Sequence, residues 1–121
     1  MKLKSTDVLV IGAGNAALCA ALSAREAGVS VAVLERAPKD EAGGNTRFTA
    51  GAMRVCYSGV DDLRKLMPDL TEAEIANTDF GAYTEDNFFD DMFRVTQFRT
   101  DPSHVETLVR SSYPTLLWMR K

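Results

Sequence analysis

The stretch DVLVIGAGNAALCAALSAREAGVSVAVLE, Asp7 to Glu35, constrains this chain more than any other. Val8 to Ile11 are branched, apolar and closed by glycine, which predicts a short buried strand. From Asn15 to Ala27 the residues turn to strong helix formers, among them Leu18, Leu22 and a series of alanines, so a helix is predicted there. Gly28 stands where a helix C-terminus takes a left-handed residue. Val29 to Leu34 reads as a second strand, apolar enough for burial on both faces. Strand, helix and strand within about 30 residues make a βαβ unit, with parallel strands and a right-handed crossover.

The turn between the first strand and the helix has a specific chemistry. Gly12 permits a tight exit from the strand, and Gly14 lets backbone approach a pyrophosphate closely. Ala17, at the third small position, lets the helix pack on the strand. The helix start aims the N–H groups of Asn15 and Ala16, and the positive end of its dipole, at phosphate oxygens. Glu35 closes the second strand at the distance, about 20 residues on, where an acid accepts the hydroxyls of an adenosine ribose. A carboxylate there repels a 2′-phosphate, which disfavours NADP without separating NAD from FAD. Arg36 reads either as a cation beside the adenine or phosphate, or as a solvated surface residue.

Beyond Glu35 the texture changes. The run APKDEAGGNTRFTAGAM has small and polar residues and no clean period, so residues 37–60 are expected to form a long loop. From Asp61 onward the chain is acidic and helical. Thr71 with Glu74 three residues on predicts a capping box for a short helix over TEAEIAN. Phe88, Phe89, Met92, Phe93 and Val95 recur at helical spacing, and the aromatics from Phe88 to Phe98 are expected in the core. Asp101 caps a further helix with Pro102 at its first position, and Pro114 is expected to interrupt it before TLLWMRK resumes. LLWMRK carries large apolar residues with no glycine, no cap and no polar tail after them, so a cut through a longer protein is expected. The fold class is therefore α/β: a Rossmann-like βαβ unit over 1–36, the loop over 37–60 and a mainly helical segment over 61–121. All three are expected to belong to one domain.

GGNTRFTAGAM, starting at Gly43, carries a more particular likeness. The chain resembles the FAD-binding domain of the fumarate reductase and succinate dehydrogenase flavoprotein family. Members follow the ribose acid with a glycine pair, a short polar stretch and a small-residue turn against the flavin, matched here by Gly43-Gly44-Asn45-Thr46 and Ala50-Gly51. The resemblance implies FAD as cofactor. Gly12, Gly14, Asn15 and Ala16 would cradle the pyrophosphate, and Glu35 would hold the ribose with Arg36 beside it. Gly44, Asn45, Thr46, Ala50 and Gly51 would approach the flavin. Small residues suit a flat ring met by backbone, and N–H groups, Asn45 and Thr46 can hydrogen-bond its edge. Members with covalent flavin carry histidine where this chain has Asn45, which implies a noncovalent FAD. Many members have glycine where Ala52 stands, a departure that bears on how closely backbone meets the ring.

The resemblance further implies hydride transfer between flavin N5 and a C–C bond of a di- or tricarboxylic acid. The nearest likeness is to members that oxidise a tricarboxylic acid to its unsaturated partner. An electron-transfer partner protein is also implied. In the family, substrate carboxylates and the proton are handled by a separate capping domain, so no catalytic residue is assigned here. Arg47, Arg54, Arg99 and His104 are the basic side chains weighed for that role, and none is chosen.

Composition closes off other classes. A net charge of −3 offers nothing to nucleic acid or anionic lipid. No apolar run approaches the roughly 20 residues a membrane helix needs. The opening MKLKSTD lacks the apolar core of a signal peptide. Cys19 and Cys56 do not make a disulfide framework, and with the lone His104 they make no metal site, so a reducing cytoplasmic setting is expected. Two other readings stand beside the flavoprotein. An NAD-dependent Rossmann dehydrogenase would place a third parallel strand soon after Glu35, where this sequence turns acidic and helical. A non-catalytic nucleotide-binding fragment would have the same turn and no turnover.

Overall fold

The computed structural model describes residues 5–121, so Met1–Lys4, the start of the polar lead-in, lie outside the described residues. The chain forms two compact units, one through Met53 and one from Arg54 to Lys121.

In the first unit, β1 (Val8–Ile11) and β2 (Val31–Leu34) pair in parallel, with Val8 opposite Val31 and Ile11 opposite Leu34. α1 (Asn15–Glu26) crosses between them, as the alternation of branched and alanine-rich segments predicts. Ala27 ends the helix, and Gly28 takes the left-handed turn at φ 84° that brings the chain back to the sheet. Asp7 and Ser30 fasten the strand starts together: the Asp7 carboxylate accepts from the Ser30 backbone N–H at 2.8 Å and from its hydroxyl at 2.5 Å. Those bonds, the hydroxyl's above all, hold the Asp7 carboxyl below its ordinary pKa.

The strands differ from expectation in burial. Leu9 and Ile11 are exposed while Val8 and Val10 are half-buried. A strand is buried on both faces only when layers cover both, and here α1 packs on the sheet and buries Ala21. The long loop also contains order that its composition concealed. Residues Gly44–Phe48 form a turn of 3-10 helix, entered through Gly43 at φ 106°.

The second unit is helical: α2 (Val60–Leu66), α3 (Glu72–Asn77), α4 (Glu85–Thr96) and α5 (Pro102–Met119). Each start has a local reason. The capping box at Thr71 is present, with the Glu74 carboxylate accepting the Thr71 N–H at 2.8 Å and the Thr71 hydroxyl accepting from the Glu74 N–H. Thr84 and Asn87 make a second box in which the shorter Asn does the work of the usual Glu or Gln. Asp101 accepts from the N–H groups of Ser103 and His104 ahead of Pro102.

Phe88, Val105 and Val109 form the centre of this unit, joined by Cys56, Tyr83, Phe89, Met92 and Phe93. Burial of each large side chain contributes about 1.5–3 kcal/mol. Ser112 is buried beside them and fully used: its hydroxyl accepts from the Cys56 N–H at 3.1 Å and donates to the Val109 carbonyl at 2.8 Å. A bridge between Tyr57 and Tyr83, with N–H to carbonyl bonds of 2.9 Å in both directions, ties the segment before α2 to the segment before α4.

Two expectations are corrected. Val95 and Phe98 are exposed, at 70% and 79%; Val95 lies in the last turn of α4, and Phe98 lies beyond its end, after the left-handed Gln97. Phe98 stacks instead on Phe93, ring centres 5.6 Å apart. Pro114 does not interrupt α5, which runs through it from Pro102 to Met119. The ring removes only one backbone donor, and neighbouring turns are held by tertiary contacts. Val105 and Val109 are in the core, and the Tyr113 hydroxyl donates to the Asp62 carbonyl at 2.9 Å.

Candidate dinucleotide site

β1 ends at Ile11, and the chain leaves it through Gly12 at φ 101°, a conformation that carries steric strain for any side chain. The Gly12 N–H donates to the Leu34 carbonyl at 2.6 Å, so the turn begins level with the end of β2. This brings Glu35 to the turn. One Glu35 oxygen accepts from the Ala13 N–H and the other from the Ala37 N–H, both at 2.8 Å. The Ala37 bond first and the Ala13 bond second lower the Glu35 pKa, with a further contribution from the cationic Arg36. The carboxylate is therefore ionised, fixed and exposed to solvent.

Gly14 precedes the first turn of α1 in an extended conformation, φ −77° and ψ 174°, that any residue can adopt. Its lack of a side chain has another reason. A Cβ at Gly14 would lie 3.3 Å from the Gly43 carbonyl oxygen and 3.5 Å from Thr46 Oγ1. The downstream glycine loop thus lies against the start of α1. The Asn15 N–H donates to Thr46 Oγ1 at 3.0 Å, a helix cap supplied from 31 residues away. Gly14 gives no side-chain cap, and the first turn contains no acid. The amide end of α1 therefore keeps its positive character.

The structure brings Gly12, Gly14, Asn15, Glu35 and Thr46 into one constellation within the first unit. Ala16 follows in the first turn of α1 and is exposed. Gly44 opens the 3-10 turn at φ 54°, and Asn45 follows it, exposed. Ala50 and Gly51 are left-handed, at φ 51° and 78°, and both are exposed. For Ala50 that conformation costs about 1–2 kcal/mol. Arg36 is exposed. No hydrogen bond draws Arg36, Asn45, Ala50 or Gly51 to the glycine turn.

Sequence reasoning did not find the backbone groups of Ala13 and Ala37 as partners of Glu35. Nothing in the identity of Ala37 signals it. Nor did it find that Gly14 makes room for the chain's own loop, a relation only the folded molecule contains. Of the basic residues, Arg47 donates to the Asp40 carbonyl at 2.6 Å, and His104 lies in the first turn of α5. Arg99 is exposed, and Arg54 bonds to Tyr83 and Asp91. Among the described residues no three His, Cys, Asp or Glu side chains gather as a metal site, and no helix is long and apolar enough to cross a membrane.

These residues suit a dinucleotide: amides without a local cap at a helix start, an ionised acid level with them, and backbone free of side chains between. Residues 7–121 match the FAD binding domain family. The chain is 29% identical over 117 residues to the fumarate reductase (cytochrome) of Shewanella frigidimarina, covering 95% of this chain and 17% of that protein. It is 44% identical over 50 residues to the probable fumarate reductase Ifc3 of Shewanella frigidimarina strain NCIMB 400, covering 41% of this chain and 8% of that protein. The chain thus spans about a sixth of the length of the first of these relatives. The family decides between the two cofactors that Glu35 alone left open, in favour of FAD. With that, the chain belongs to the FAD binding domain family.

Proposed function

We propose that the protein serves a flavin-dependent oxidoreductase acting on the C–C bond of a di- or tricarboxylic acid, in the manner of a tricarballylate dehydrogenase or a fumarate reductase. Bound FAD supplies the hydride acceptor or donor of that chemistry. The residues of this chain bind and orient it. The N–H groups at the start of α1 other than that of Asn15, which donates to Thr46, meet the pyrophosphate, and the Glu35 carboxylate accepts the ribose hydroxyls. Gly44, Asn45, Thr46, Ala50 and Gly51 offer backbone and small polar groups to the flavin, with Arg36 near the adenosine end. Asn45 has no nucleophilic side chain, so the FAD is held noncovalently. The acid or base that moves the substrate proton is assigned to the rest of the enzyme, as is any contact with an electron-transfer partner. A cytoplasmic setting accords with cysteines that are both free.

One observation carries the reading: the ionised Glu35 carboxylate is fixed against the glycine turn through the Ala13 N–H. The test is the visible spectrum of the full-length protein before and after acid precipitation. Yellow colour released into the supernatant is expected, with turnover of tricarballylate or fumarate by the untreated enzyme. Colour that stays in the pellet would refute noncovalent attachment. A colourless protein whose tryptophan fluorescence responds to NADH would refute the flavin.

A further inference from the structure

None of residues 40–48 is buried, so packing does not hold the loop that carries Thr46. Phe48, its large apolar residue, is 80% exposed. Inside the loop Gly43 and Gly44 take consecutive left-handed φ angles of 106° and 54°. A glycine pair brings backbone freedom that is lost whenever the loop orders. That order depends on polar ties. Thr46 Oγ1 accepts from the Asn15 N–H at 3.0 Å, and among the described residues this hydrogen bond alone joins residues 40–48 to a helix or strand.

A further tie is internal to the loop. Arg47 Nη1 donates to the Asp40 carbonyl at 2.6 Å and closes the chain around the glycine pair. The bond is charge-assisted, the stronger kind. The guanidinium also stands 5.6 Å from the centre of the Phe48 ring, a contact that steadies the cation. Arg47 Cβ lies 3.7 Å from where a side chain on Gly43 would begin, so the segment folds back on itself. What the closed segment presents is one wall of the cradle. The Gly43 carbonyl oxygen stands 3.3 Å from the Cβ position of Gly14, beside the Thr46 hydroxyl that holds the Asn15 amide. Were the Asp40 carbonyl released, the Thr46 bond alone would have to order the glycine pair.

We infer that Arg47 is a positioning residue for the cofactor: by clasping the Asp40 carbonyl it keeps Gly43 and Thr46 against the start of α1, and so sets how long FAD stays bound. This role rests on the reading of Gly14 and Thr46 as part of the FAD site. It gives Arg47 no part in proton transfer, because the side chain is engaged with the loop's own backbone.

The experiment dilutes the full-length, FAD-loaded enzyme below its dissociation constant and follows the release of FAD by its fluorescence. Arg47→Met keeps the aliphatic stem and loses the donor, and it should release FAD about three- to tenfold faster than wild type. Arg47→Lys keeps a cationic donor and should release FAD more slowly than Arg47→Met. Thr46→Ala should also speed release, and adding Arg47→Met to it should have less effect than Arg47→Met alone, since the clasp acts through Thr46. For the same reason Arg47→Met without FAD should melt no lower than Thr46→Ala. Arg47→Met holding FAD as long as wild type overturns the inference, as does Arg47→Lys releasing it as fast as Arg47→Met. Full additivity of the two changes, or melting of Arg47→Met well below Thr46→Ala, also overturns it, because Arg47 would then be an independent structural tie. Thr46→Ala holding FAD as long as wild type is a separate outcome, which overturns the reading of the FAD site itself.

Discussion

The carboxylate of Glu35 and the backbone N–H of Ala13 lie 2.8 Å apart, joining the end of β2 to the middle of the glycine turn. The acid is thus part of the turn's own scaffold before any ribose reaches it. Its second oxygen holds the Ala37 N–H, so it also sets the path by which the chain leaves β2.

Replacing Glu35 tests both roles. Glu35→Gln preserves shape, loses the charge and turns one acceptor into a donor facing an N–H group. Charge-assisted hydrogen bonds contribute about 1.5–3 kcal/mol each. The full-length variant should therefore hold FAD about 10- to 100-fold more weakly, measured by titrating deflavinated protein with FAD. Flavin retention equal to wild type would remove Glu35 from the site.

Gly14→Ala addresses the loop. The backbone at Gly14 tolerates alanine, so any effect comes from crowding against Gly43 and Thr46. Overpacking of this size costs about 1–3 kcal/mol. The variant should melt at lower temperature and carry less FAD, both read on the purified full-length enzyme. Thr46→Ala, which only uncaps the Asn15 N–H, should lower the melting temperature less. A Gly14→Ala protein with unchanged melting would mean that the loop does not lie where it is described.

Asp91 gives a dependence on pH. The Arg94 bond first, and the Tyr83 bond second, pull its pKa down from the ordinary 3.8 to about 2. A carboxyl with a lowered folded-state pKa stabilises the fold above its unfolded value, and the effect fades as pH falls toward the folded one. Between about pH 4 and pH 2 the unfolded chain binds more protons at this position, so stability drops on acidification. The urea midpoint should fall across that window, and fall less steeply in Asp91→Asn. Parallel slopes for the two proteins would show that Asp91 does not contribute.

Much of this architecture was legible from local rules. β1, α1 and the left-handed Gly28 follow from composition and punctuation, and the starts at Thr71 and Asp101 follow from capping chemistry. What escaped depends on distant partners. The Thr84–Asn87 box uses the shorter Asn, and the 3-10 turn at Gly44–Phe48 lies in a segment with no hydrophobic period. The continuity of α5 through Pro114 depends on packing that propensity does not measure. In the candidate site, Gly12, Gly14 and Glu35 were legible because their chemistry is tied to short spacings. The cap that Thr46 places on Asn15 was not, since no local rule links residues 31 apart.

That long-range cap has a bearing on how the cradle comes into being. As the polypeptide leaves the ribosome, the strand–helix–strand segment emerges before the residue that completes the helix start. A nascent chain ending near Glu35 would display the glycine turn with its first amide still hydrated and its loop wall missing. Competence to seize the nucleotide would therefore arrive only once the chain has grown on to Thr46, making the unit of assembly longer than the motif by which it is read.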